Sequence, residues 1–77
     1  MNQEKFEEWC LKNAKNIRNK YINKIDYVWV TMTDDWIAIF EKEQDSFYRP
    51  LIQAKTEAHA QNYCSLREPV LPGVHFI

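Results

Sequence analysis

Few residues in this chain have the chemistry of a catalytic or metal centre. The thiols are Cys10 and Cys64, and the imidazoles are His59 and His75. His59 and Cys64 fall in one segment read as helix, about 140° apart around its axis, so the helix does not aim both at one ion. Ser46 and Ser65 have no strand-to-helix elbow context and no evident base beside them. The carboxylate pairs Asp34/Asp35 and Glu41/Glu43 are of the right type for acid–base work, but the first occupies a turn and the second a solvated strand end. Gly73 is the only glycine and sits between Pro72 and Val74, so no loop lets the backbone close on a phosphate. The expectation is a protein that is not an enzyme, with no catalytic residue, no metal and no cofactor.

Recognition chemistry is better represented. The segment from Ile25 to Glu43 reads as two β-rich runs flanking Asp34-Asp35. A two-residue loop there pairs Thr33 with Trp36, Thr31 with Ala38 and Trp29 with Phe40. Tyr27, Trp29, Trp36 and Phe40 then share one face, with Met32, Ile37, Val30 and Ile39 on the other. Aromatic clusters of this kind are enriched at interface hot spots. From Asp26 to Asp45 the chain carries six acids against one base, Lys42. The expected partner-binding set is therefore Tyr27, Trp29, Trp36 and Phe40 as anchors, with Asp34, Asp35, Glu41 and Glu43 steering toward a basic protein surface. The other assignment of these rings is to the core, under a helix or the C-terminal segment. A second candidate site is the stretch Lys12, Lys15, Arg18, Lys20, Lys24, five bases with no acid, which on one helix would suit a phosphate backbone.

The elements expected to position these groups follow from periodicity. Phe6, Cys10, Ala14, Ile17 and Tyr21 fall within about 80° of arc and predict an amphipathic helix over 3–22. Strands are expected at 25–33 and 36–43. A third strand at 47–53 lies on a sheet edge, because Pro50 cannot donate to a ladder. A second helix over 56–66 is capped by Thr56 and ended by Pro69. The segment 67–77 is an extended tail rich in apolar residues. The predicted fold is α+β, one domain over 1–77, with a three-stranded antiparallel meander packed by two helices over one face.

The order of a helix, three strands and a helix resembles that of double-stranded RNA-binding domains. Those domains open their second helix with a lysine cluster, where this chain has Ala54-Lys55-Thr56-Glu57, and the glycine-rich loop before it is missing. Three strands plus a helix also resemble the DNA-binding modules of integrases, which lay an open sheet face in the groove. Here that face is rimmed by acids.

Seventy-seven residues, 45% of them hydrophobic and 14% aromatic, describe a small folded domain. Two cysteines outside any CxxC spacing suit reduced thiols in the cytoplasm. No run approaches the roughly 20 apolar residues of a membrane span. The functional expectation is a small inhibitor or adaptor, of the kind phage and mobile elements encode, that binds a host protein and competes with nucleic acid. Direct nucleic-acid binding is the alternative, and a homodimer through the open face or the edge strand is a further expectation.

Overall fold

The computed structural model describes residues 1–67. It shows an α+β fold with a four-stranded antiparallel sheet and two helices. The elements are α1 (Gln3–Asn13), β1 (Asn16–Ile22), β2 (Ile25–Thr33), β3 (Trp36–Lys42), β4 (Tyr48–Ala54) and α2 (Glu57–Leu66). The strands pair in sequence order, β1-β2-β3-β4. The expected tail lies, apart from Arg67, outside the described residues.

The long N-terminal helix is corrected: it ends at Asn13, and its second half is a strand. Asn2 caps the start of α1, its side chain accepting from the Lys5 N–H at 2.9 Å, and extended backbone at Ala14 closes the end. Asn13, Asn16 and Asn19 are weak helix formers, and helix hydrogen bonds alone do not carry so poor a segment past its packed face. Ile17 and Tyr21, four apart, fit a helical stripe. They equally fit one face of a strand, where Asn19 stands between them. Asn23 and Lys24 close the β1–β2 hairpin with φ of 55° and 65°. Positive φ at both central residues is the signature of a type I′ turn, whose twist matches the strands it joins. This fourth strand removes the likeness in element order to double-stranded RNA-binding domains.

The two helices lie on opposite faces. Tyr27 to Val30 and Ile37 to Phe40 are unbroken buried runs, so the central strands need a cover on each side. On one side, Phe6 and Cys10 of α1 pack with Val28, Val30, Met32, Ala38, Phe40 and Tyr48. Phe6 stacks on Tyr48 at 4.0 Å and meets Phe40 edge-on at 5.0 Å. On the other side, Ala60 and Cys64 of α2 pack with Ile25, Tyr27, Trp29, Ile37, Ile39 and Ala54. Thr56 caps α2 as expected, its hydroxyl accepting from the His59 N–H at 3.1 Å.

The predicted common aromatic face is also corrected. Thr33 pairs with Trp36, but the register shifts between Thr31 and Thr33, and Trp29 then faces Ile39 while Val28 faces Phe40. Met32 is the additional residue. Neither aspartate has positive φ, so the turn lacks the twist of the primed types. A bulge takes up such a mismatch, and one inserted residue moves every side chain beyond it to the other face. Tyr27 and Trp29 thus lie under α2, and Phe40 and Trp36 on the α1 side. A second irregularity, with Leu51 unpaired between Pro50 and Ile52, sits on β4. Edge strands tolerate both the missing donor and the bulge.

Candidate functional site

The aromatic anchors expected on the hairpin are mostly interior. Tyr27 is 1% exposed, Trp29 2% and Phe40 4%, while Trp36 is half-buried at the edge of the α1 core. A side chain at these exposures offers a partner almost nothing to touch. The acids do not form one rim either. Asp34 and Asp35 occupy the turn before β3, and Glu41 and Glu43 its far end, about 20 Å away at a strand's rise per residue. Asp34 lies 3.6 Å from Lys15. Glu41 accepts from Arg67 at 2.8 Å and lies 3.6 Å from Arg49, which also reaches Glu43 at 3.3 Å. The pair with Glu41 holds the Arg67 guanidinium above its ordinary pKa although its burial acts the other way.

The basic stretch is likewise divided. Lys12 is in the last turn of α1, Lys15 precedes β1, and Lys24 is in the hairpin turn. Only Arg18 and Lys20 share a strand face. They stand opposite Trp29 and Tyr27 in the register, hence on the α2 side. The Arg18 guanidinium lies 5.6 Å and the Lys20 ammonium 5.1 Å from the centre of the Trp29 ring. Arg18 also pairs with Glu57 at the start of α2. These two cations therefore roof one edge of the α2 core, both half-buried with their charged groups over the Trp29 ring.

The remaining chemistry is quiet. Cys10 and Cys64 are free, buried, and on opposite sides of the sheet, so they do not pair with each other. Burial pushes both thiols above their ordinary range, with Glu7 adding to the shift at Cys10. Such thiols are poor nucleophiles. Among the described residues no group of three His, Cys, Asp or Glu could hold a metal ion. No described helix is long and apolar enough to cross a membrane.

The surface that stands out contains Ile17 and Tyr21, which were expected on the apolar stripe of a longer helix. α1 covers β2 and β3 but leaves the α1-side face of β1 open. Leu11 is 87% exposed, Ile17 47% and Tyr21 69%. Ile17 and Tyr21 share a strand face with Asn19, since Ile17 pairs with Val30 and Asn19 with Val28 on the α1 side. Between α1 and β1 runs a groove of about 640 Å³, with Phe6, Cys10 and Val28 along its base and Leu11 and Ile17 at its sides. The signal for this surface was the alternation of Ile17, Asn19 and Tyr21 with Arg18 and Lys20, followed by Asn23-Lys24 just before the next apolar run.

Comparison with known proteins gave no match: no family model, no curated protein and no solved structure matches this chain.

Proposed function

We propose that this chain is a non-enzymatic protein-interaction module, an inhibitor or adaptor working in a reducing cytoplasm, whose contact surface is the open flank formed by α1 and β1. The observation that carries the reading is the exposure of Ile17 and Tyr21 on the open face of β1, and of Leu11 across the groove between α1 and β1. Large apolar side chains grouped in this way are the signature of an interaction site, whereas the same residues scattered singly are not. The aromatic rings of the hairpin serve this function indirectly, by fixing the sheet that presents β1. Asp35 and Asp34, the latter paired with Lys15, stand exposed at one end of that sheet, and Lys15 also lines the groove. The partner's approach is therefore sensitive to charge, and competition with nucleic acid remains the version to test.

The test is an affinity pull-down from the native host, with and without nuclease, read by mass spectrometry. It compares the parent chain with the triple variant Leu11→Ser, Ile17→Ser, Tyr21→Ser. A protein recovered stoichiometrically with the parent despite nuclease, and lost with the variant while its circular dichroism stays native, supports the reading. Equal recovery by both removes the flank as the contact surface. Recovery of nucleic acid alone transfers the function to the basic residues.

A further inference from the structure

We infer that the outer edge of β1 accepts an extended segment of another protein as a fifth strand, with apolar side chains facing α1 and acidic side chains facing Arg18 and Lys20. This rests on the proposed interaction role and specifies its partner.

The sheet has two edges, and they are not equivalent. On β4, Pro50 has no N–H to give, Leu51 interrupts the ladder, and Tyr48 already exchanges hydrogen bonds with Met1, as donor at 2.6 Å and acceptor at 2.6 Å. β1 runs without interruption for seven residues, contains no proline and, among the described residues, pairs only with β2. Its outward N–H and C=O groups are an open template for a further strand.

Chemistry on the two faces of β1 selects the occupant. Toward α1, Ile17 and Tyr21 stand exposed, and Ile17 lines the groove with Leu11. Toward α2 stand Arg18, already paired with Glu57, and Lys20. Among the described residues Lys20 forms no ion pair. A second copy pairing antiparallel about Asn19 would set Arg18 of each chain against Lys20 of the other, and like charges opposite one another destabilise a ladder. A segment with acids at those positions gains from the same geometry. The period of two along a strand then requires apolar residues at the alternate positions, which is what the groove side takes.

The probe is a nine-residue peptide alternating Glu and Val, titrated into the full chain and followed by amide chemical shifts and hydrogen exchange. Its controls are a Lys/Val peptide and a Glu/Val peptide with proline at one central position. The expected result is slowed exchange confined to Asn16–Ile22, with the Glu/Val peptide preferred over both controls. Lys20→Glu should weaken that binding about tenfold, and the Lys/Val peptide should then gain. Equal binding of the Glu/Val and Lys/Val peptides, or no protection at millimolar Glu/Val peptide, overturns the inference. So does protection of β1 in the free chain, concentration-independent if its own terminal segment fills the edge and concentration-dependent if a second copy does. Binding of a single-stranded oligonucleotide at these residues, with the peptide inert, overturns it in favour of nucleic acid. Failure of the peptide while the pull-down still depends on Leu11, Ile17 and Tyr21 sinks strand addition and leaves the interaction role standing.

Discussion

Replacing Trp29 by alanine separates a core ring from a contact ring. Trp29 is 2% exposed, packs against α2, and carries Arg18 and Lys20 over its face at 5.6 and 5.1 Å. Truncating a buried Trp to Ala costs about 3–5 kcal/mol. Each lost cation–π contact adds about 0.5 kcal/mol at a partly exposed site, so the upper half of that range is expected. A chain of 77 residues holds about 4–12 kcal/mol in total at roughly 0.05–0.15 kcal/mol per residue. The substitution therefore removes between a third and all of the stability. At about 4–8 °C per kcal/mol for a domain of this size, Tm falls by at least about 16 °C. Trp29→Phe is the graded companion. It removes roughly 40 Å² of ring, or about 1 kcal/mol at ~25 cal/mol per Å², and also removes the indole N–H, which among the described residues has no nitrogen or oxygen hydrogen-bond partner. Urea unfolding followed by far-ultraviolet circular dichroism reads both variants, since fluorescence changes with the residue itself. A Trp29→Ala chain within about 0.5 kcal/mol of the parent would refute the face assignment, and with it the bulge at Met32 that produces it.

Four further outcomes are expected. Leu11→Ser and Tyr21→Ser, at exposed positions, should each change stability by no more than about 0.5 kcal/mol in the same urea assay. Lys24→Gly relieves a side chain held at φ 65° and should raise the unfolding free energy in urea by about 0.5–1 kcal/mol, where a fall would contradict the type I′ turn. Glu41→Gln breaks the contacts with Arg67 and Arg49 and should cost about 1 kcal/mol, whereas Asp34→Asn, at the exposed pair with Lys15, should cost under about 0.5 kcal/mol. Burial raises the Cys10 and Cys64 thiols and the Tyr27 hydroxyl above their ordinary values of 9.0 and 10.0, so the folded chain resists ionisation that the unfolded chain permits. Their contribution is whole below the unfolded values and is lost as the pH climbs through the folded ones. Urea midpoints should therefore fall above about pH 9, with a shallower fall in Cys64→Ala, and an equal slope in parent and variant would remove Cys64 from the account.

Much of this fold is legible in particular residues. Thr56 marks the start of α2, Pro50 marks an edge strand, and the β-rich runs around Asp34-Asp35 mark the central hairpin. Three features were not legible. Ile17 and Tyr21 are four apart, a spacing common to a helix face and a strand face, so periodicity alone could not tell β1 from a longer α1. The Asn23-Lys24 turn lacks the glycine that usually announces two residues at positive φ. The bulge at Met32 leaves no mark in composition, yet it decides which rings share a face. The candidate site was lost through the same cause: once β1 was read as helix, Ile17 and Tyr21 fell on its apolar stripe, and the open flank they form disappeared from view.

The placement of the two helices at opposite ends of the chain has a consequence for synthesis on the ribosome. α1 is complete before the central strands are made and can close its side once Tyr48 has emerged. The other side waits for Leu66, which at ordinary translation rates of about 5–20 residues per second comes about 1–5 s after Ile39. During that interval Tyr27, Trp29, Ile37 and Ile39 have no helix over them, in uncharged β-rich runs of the kind that associate between chains. Arg18 and Lys20 are already in place by then. The two cations that roof Trp29 in the finished protein thus also place charge beside the nascent hairpin on the side that is last to be covered.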